Sequence, residues 1–349
     1  MPRLRRIDCS SSGITRRRRG RGFEYIDSQG RRIHDAETLA RIRDLGIPPA
    51  WTNVWICSHP RGHLQAVGTD AAGRKQYLYH EEWRKRRDAE KFEHMIEFAL
   101  SLPTLRKGCA DDLKQPGLGR HKILACATRL LDRGFFRIGT EGYAEQNQTY
   151  GLATMQKRHV RLKDNIIHFD FTAKSGKRRI QSLVDPDVFE VVASLKKRRG
   201  GGPELLAYKE GRTWFDVKSA DINLYIKEIT GSEFTAKDFR TWNATVLAAV
   251  ALAVSGQTVT SKTARKRAIT RAVQEVSHYL GNTPAVCRSS YIDPRVFDRF
   301  QSGWTIEPTI EVMGAEAEFG ELSTQGIVEE AVLDLLEDRR GSQAIEKIA

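Results

Sequence analysis

The sequence predicts an α+β protein, with a small, mainly β N-terminal domain and a larger, mainly helical domain that carries a small β-sheet. Its 349 residues suffice for two domains with sizeable cores. Before residue 80, short β-branched and aromatic runs alternate with Gly and Pro punctuation. After residue 80, apolar residues recur at helical spacing, interrupted by one strand-like block at 159–184.

Residues 1–22 hold eight Arg and one Asp with little that is apolar, which predicts a disordered basic arm. FEYID, SQG and RRI read as a hairpin turning at Gly30. DAETLARIRDLG predicts a short helix, with Asp35 as N-cap, Leu39, Ile42 and Leu45 on one face, and Gly46 at its end. VWICS and HLQAVGT read as strands joined by a PRG turn. The helical segment HEEWRKRRDAEKFEHMIEFALSL starts very basic, and the domain boundary falls near that start, giving domains over 23–88 and 89–304. KILACATRLLDRG, VFEVVASLKKRR, KSADINLYIKEITG and FTAKDFRTWNATVLAAVALAV follow as helices. The block at 159–184 predicts a sheet with tight turns at KDN and KSGK. In ARKRAITRAVQEVSHYLG, residues Ile269, Ala272, Val273, Val276 and Leu280 form an apolar stripe. Gly281 ends that helix and Pro284 prevents its restart. Residues 305–349 read as an acidic C-terminal tail with one more amphipathic segment, GIVEEAVLDLLEDRR.

Charge narrows the function. The net charge is +13, yet the tail over 305–349 has eleven acidic residues against three basic ones. The middle of the chain is therefore strongly basic in its own right, which points to a polyanionic partner, most simply nucleic acid. The five cysteines are scattered without metal-ligand spacing, as in a reducing cytosol. The Arg-rich start has no apolar core behind it, so no signal peptide is expected. The longest apolar run, Val246 to Val254, is too short to span a bilayer. A soluble, cytoplasmic protein is expected. No phosphate-binding loop of the G-x-x-x-x-G-K-[ST] type is present, so nucleotide hydrolysis by that route is not expected, and no HExxH occurs either. LVDPD at 183–187 has a shape that can bind Mg²⁺, but no third carboxylate accompanies it, and the same string is an ordinary turn and cap.

Basic and polar residues stand at sharp structural positions. FFRIGTEGY puts Arg137 just past a helix end, and FTAKSGK puts Lys174 in a tight turn. KDFRTW puts Arg240 near the start of a long helix, where amides and the dipole favour an anion. GNTPAVCRSSY puts Asn282 past a helix end and closes on Tyr291. Each has an ordinary structural alternative, since an Arg after a helix commonly binds carbonyls and a Lys in a turn is commonly solvated.

Together these strings resemble type IB DNA topoisomerases of the poxvirus and bacterial kind. The resemblance rests on VGTDAAGRKQYLY, FRIGTEGYAEQNQTYGLATMQKRHV, the AKSGK turn, KDFRTW and GNTPAVCRSSY, in the family's order and over roughly 30–300. It implies a C-shaped clamp on duplex DNA that relaxes supercoils of either sign through a 3′-phosphotyrosyl link, strand rotation and resealing, without ATP, metal or other cofactor. It implies that Tyr291 is the nucleophile, that Arg137 and Arg240 hold the scissile phosphate, and that Lys174 is the general acid. Asn282 falls where many members have a histidine, and it donates a neutral hydrogen bond. Gln76, Tyr77, Tyr79, Tyr143, Lys237 and Arg288 are the expected DNA contacts. A monomer associated with the nucleoid is expected. Two alternatives stay open: a tyrosine recombinase, against which Lys237-Asp238-Phe239-Arg240 has K-x-x-R where recombinases typically have H-x-x-R, and a non-catalytic basic DNA-binding protein.

Overall fold

The structure is a computed structural model that describes residues 3–256, 261–316 and 324–348. It divides into two compact units, Met1–Glu93 and His94–Ala349, a few residues past the boundary read from the sequence.

The first unit contains β1 (Ile14–Arg19), β2 (Gly22–Ile26), α1 (Ala36–Asp44), β3 (Thr52–Ile56), β4 (Leu64–Thr69) and β5 (Lys75–Tyr79). The strands form one antiparallel sheet in the order β2-β1-β3-β4-β5. Ile14, Val54, Ile56 and Ala66 from the sheet pack with Ile42 of α1. Asp35 caps α1 by accepting from the Thr38 N–H at 2.8 Å. The disordered arm expected over 1–22 is corrected here, because Ile14 is buried in this core and the arginine run is strand β1. The guanidinium of Arg16 lies 4.2 Å from the centre of the Phe23 ring and donates to the carbonyls of Pro48 and Trp51 at 3.0 and 2.6 Å. A side chain that reads as solvated charge thus lays its stem on an aromatic and spends its donors on backbone. FEYID pairs with this strand, and the hairpin expected with RRI is reduced to one bridge, Ile26 to Arg32.

Helix α2 (Glu81–Leu113) follows and continues through Pro103. The second unit then holds α3 (Arg120–Gly134), α4 (Glu141–Asn147), the three-stranded sheet β6 (Val160–Lys163), β7 (Ile166–Thr172) and β8 (Arg178–Val184), and α5 (Pro186–Lys197). The KDN turn works because Asp164 and Asn165 both take positive φ, 51° and 59°, as a two-residue hairpin turn demands. Asp185 of LVDPD is a cap. It accepts from the Val188 N–H at 3.2 Å and pairs with Arg129 and Arg133 at 2.7 and 2.9 Å. The hairpin of β9 (Ala207–Glu210) and β10 (Thr213–Asp216) leads into α6 (Ser219–Thr230), α7 (Ala236–Gly256), α8 (Lys262–Leu280), α9 (Pro284–Ser290) and α10 (Pro294–Gln301).

Helix α7 is the spine of this unit: Phe239, Trp242, Thr245, Val246, Ala249, Leu252 and Ala253 are all buried. Among the described residues no helix is long and apolar enough to cross a membrane. The predicted stripe of α8 is buried as expected. The acidic tail is also corrected. Its described residues form β11 (Trp304–Thr305), α11 (Glu307–Glu316), α12 (Ile327–Leu336) and β12 (Glu346–Lys347), with β12 paired to β11. Val328, Ala331, Val332, Leu335 and Leu336 are buried, so α12 is an integral helix; Glu330 marks its outer face, while Glu329 is buried with the apolar side chains.

Candidate active site

Arg137 is placed by two glycines. After α3 ends, Phe135 takes a left-handed φ of 53° and turns the chain. The strand-like segment beyond it is held by Leu152 N–H donating to the Arg137 carbonyl at 2.8 Å and Ala153 N–H to that of Ile138 at 2.7 Å. This pairing brings Gly139 against Gly151. A Cβ on Gly151 would lie 2.4 Å from both Cα and N of Gly139, and backbone atoms cannot rotate aside. Gly151→Ala is therefore expected to cost about 1–3 kcal/mol as an overpacked site. Gly142→Ala, where a Cβ meets nothing within 4 Å, is expected to be neutral or stabilising. Thermal unfolding of the two variants checks the contrast.

The end of α8 supplies the other half of the site. Gly281 takes φ 63°, its N–H returns to the His278 carbonyl, and the Asn282 N–H returns to that of Ser277 at 3.0 Å. This is the doubly hydrogen-bonded helix stop that glycine permits. The helix-end carbonyls then serve as acceptors for three guanidiniums. Arg137 donates to the Gly281 carbonyl at 3.1 Å, Arg240 to that of Leu280 at 2.9 Å, and Arg179 to those of His278, at 2.9 Å, and Tyr279. Arg240 also donates to the Phe135 carbonyl at 2.9 Å, which ties α7 to the end of α3. The negative end of the helix dipole offsets the repulsion between the three cations. Burial lowers the pKa of Arg137 and, with Arg137 as the next cause, pushes Arg240 down to about 10.

These bonds leave donors to spare. Arg137 has no acceptor atom, so the Asn282 atom that it contacts is Oδ1, which fixes the orientation of the amide. Nδ2 of Asn282 is then buried with no protein acceptor, and so is Nε of Arg240. Buried donors without partners are costly in a free fold and ready for an anion.

Tyr291 closes the cluster. It ends α9, its half-buried ring lies 5.3 Å from the Arg240 guanidinium carbon, and its N–H donates to the Cys287 carbonyl at 3.0 Å. The following backbone is tied to α7, because the Thr245 hydroxyl accepts from the Asp293 N–H at 3.1 Å and donates to the Thr241 carbonyl at 2.9 Å.

The structure thus brings Arg137, Arg240, Asn282 and Tyr291 together, and leaves Lys174 apart. Lys174 is exposed in the five-residue turn between β7 and β8, where Ser175 and Gly176 have φ of 67° and 70°. Lys237 is exposed in the first turn of α7, and Arg288 on α9 covers the Phe297 ring at 4.6 Å. In the first unit, Tyr77 and Tyr79 are 45% and 39% exposed on the edge strand β5 with rings 6.2 Å apart, so both stand at the surface and not in a sheet core. Gln76, on the opposite face of β5, donates to Asp70 at 2.9 Å. Tyr143 belongs to α4, and its side chain lies outside what the structure describes. Sequence reasoning missed Arg179, whose one signal was its place in the KSGKRRI string. On β8 it faces inward while Ile180, two-thirds exposed, faces out, reversing the usual preference.

Comparison with known proteins gives a consistent set. A family model described as the eukaryotic DNA topoisomerase I catalytic core matches residues 80–305. A model described as the bacterial DNA topoisomerase IB N-terminal domain matches residues 22–70. The chain is 32% identical over 297 residues to DNA topoisomerase 1B of Acanthamoeba polyphaga mimivirus, covering 83% of this chain and 88% of that protein. It is 19% identical over 235 residues to DNA topoisomerase 1B of vaccinia virus (strain Copenhagen), covering 66% and 71%. It is 32% identical over 130 residues to DNA topoisomerase 1 of Daucus carota, covering 36% of this chain and 15% of that one.

Proposed function

Because the chain belongs to the type IB DNA topoisomerases, a family of isomerases, we propose that it relaxes supercoiled duplex DNA by transient cleavage of one strand through a phosphotyrosyl link at Tyr291. The observation that carries this reading is the pair of buried donors without acceptors, Asn282 Nδ2, on the amide held by Arg137, and Arg240 Nε, on the guanidinium beside the Tyr291 ring. They suit a phosphodiester whose non-bridging oxygens gain charge as the phenol attacks.

In the proposed step, Oη of Tyr291 bonds to phosphorus, the bond to the 5′ oxygen breaks, and the phenolic proton passes to water. Arg137 and Arg240 neutralise the non-bridging oxygens with planar donor forks. Asn282 adds a neutral donor. The leaving alkoxide is too basic to depart unaided, and Lys174 at its hairpin tip protonates it. The 3′-phosphotyrosyl ester conserves the bond energy, so the freed 5′ end swivels and then attacks the ester, with no nucleotide consumed. Two guanidiniums supply the charge neutralisation, so the reaction needs no divalent metal. Supercoils of both signs relax. The protein acts as a monomer on DNA in the nucleoid. Gln76, Tyr77, Tyr79, Tyr143, Lys237 and Arg288 contact the duplex.

The test is relaxation of positively and negatively supercoiled plasmid in EDTA without nucleotide, with denaturant trapping of protein on the 3′ end of the nicked strand. Relaxation with a trapped 3′ adduct is expected. A requirement for Mg²⁺ or ATP, or relaxation without an adduct, overturns the mechanism. For Lys174→Ala, cleavage is expected to slow by ~10²–10⁴, the usual worth of a positioned acid. A substrate with sulfur in place of the 5′ bridging oxygen is expected to restore the rate to within about tenfold of wild type, because a thiolate leaves without a proton. A variant that stays slow on the sulfur substrate removes Lys174 from that role.

A further inference from the structure

We infer that Glu329, on helix α12, is a positioning residue for the chemical step, acting through Trp242. This rests on the function proposed above, and goes beyond the matched family core, which ends at residue 305.

A carboxylate only 8% exposed must be paired, and Glu329 is paired with unusual completeness. It accepts from Arg106 Nη2 at 2.9 Å, from Trp242 Nε1 at 2.7 Å and from the Gly326 N–H at 3.2 Å. Arg106, from α2, donates in turn to both carboxylate oxygens of Asp132 on α3, at 2.9 and 3.0 Å. Burial opposes the Arg106 charge, but the bonds to Glu329 and Asp132 outweigh it and raise its pKa. Asp132 also accepts from Gln325 at 3.0 Å, and its carbonyl from Asn243 at 3.0 Å. Every partner belongs to the second unit.

The placement of Trp242 gives the network its consequence. On α7, Trp242 lies between Arg240, which reaches the phosphate site, and Thr245, which holds the backbone after Tyr291. Its indole is fully buried, and its one N–H is spent on Glu329. The bond therefore sets the rotation of α7 about its axis, and with it the aim of Arg240 and the seat of Tyr291. The same helix α12 holds α10, just past Tyr291, through Arg299 Nε donating to the Leu335 carbonyl at 3.2 Å. Misplacement of reacting groups by about 1 Å costs on the order of 10²-fold in rate.

The experiment uses the full chain and a duplex substrate in single turnover. Rate constant and amplitude of adduct formation are read separately, with duplex Kd and Tm. Trp242→Phe, which removes the indole N–H together with part of the ring, is expected to lower the rate constant at least fivefold with amplitude and Kd unchanged. Glu329→Ala is expected to lower it at least as much. Glu329→Gln, which keeps an acceptor for the indole, is expected to stay within threefold of wild type. If Glu329→Ala does not fold, the other two variants carry the test. Wild-type rate constants for Trp242→Phe, or losses confined to amplitude and Tm, overturn the inference and leave Glu329 a purely structural brace. A wild type that forms no adduct overturns the underlying function instead.

Discussion

Tyr291→Phe is expected to bind duplex DNA as tightly as the wild type and to form no covalent adduct. The substitution removes one oxygen and keeps the ring that packs under Arg240 at 5.3 Å, so the fold and the proposed phosphate site are expected to persist. Loss of a covalent nucleophile costs on the order of 10⁶ in rate, which in a plasmid assay means no relaxation. Tyr279 is the neighbouring phenol, 54% exposed near the end of α8, and it is the control. Its ring hangs outside while its carbonyl holds Arg179, so Tyr279→Phe is expected to keep the wild-type rate. Denaturant trapping on an end-labelled duplex reads both variants. An adduct with Tyr291→Phe, or its loss with Tyr279→Phe, would falsify the assignment of the nucleophile.

How much of this was legible in the sequence follows from the range over which each interaction acts. Helix starts and stops are local. Asp35, Gly281 and the KDN turn announce themselves because capping and positive φ are properties of a few adjacent residues. The stripe of α8 is legible for the same reason. The errors lie where a distant partner decides. Four consecutive arginines read as disorder because nothing nearby shows that Phe23 and the carbonyls of Pro48 and Trp51 will absorb Arg16. The acidic C-terminal segment reads as a tail because the partners of Glu329, Arg106 and Trp242, lie far back in the chain. In the site, the residue types were legible and their bonding was not. Arg137 and Arg240 were expected to hold an anion, yet each first spends donors on helix-end carbonyls. Arg179 escaped notice because its role depends on meeting the end of α8, about 100 residues later in the chain.

That bonding yields the second large effect. Arg137→Ala and Arg240→Ala are each expected to slow cleavage by ~10²–10³, the worth of one lost donor in a preorganised electrostatic site. The two should differ in their coupling to Asn282. Arg137 holds Oδ1 of Asn282, so its loss also frees the amide to rotate, and Arg137→Ala already removes most of what Asn282 contributes. Adding Asn282→Ala to Arg137→Ala should therefore change little. Adding it to Arg240→Ala should multiply the two losses, because Arg240 is anchored instead to Phe135 and Leu280. Arg240→Lys should behave like Arg240→Ala, since one ammonium cannot reach two carbonyls on different elements and still serve a phosphate. The charge also has a sign that can be checked. A base pushed down to about 10 by burial, with Arg137 next, costs the free fold stability at every pH below that value, and the cost fades as pH rises from about 10 toward 12.5. A bound anion supplies the missing counter-charge at neutral pH. Sulfate at constant ionic strength is thus expected to raise the wild-type Tm at pH 7, and the rise should vanish in Arg240→Ala. An equal rise in both would place the anion elsewhere and remove the unpaired donors from the phosphate site.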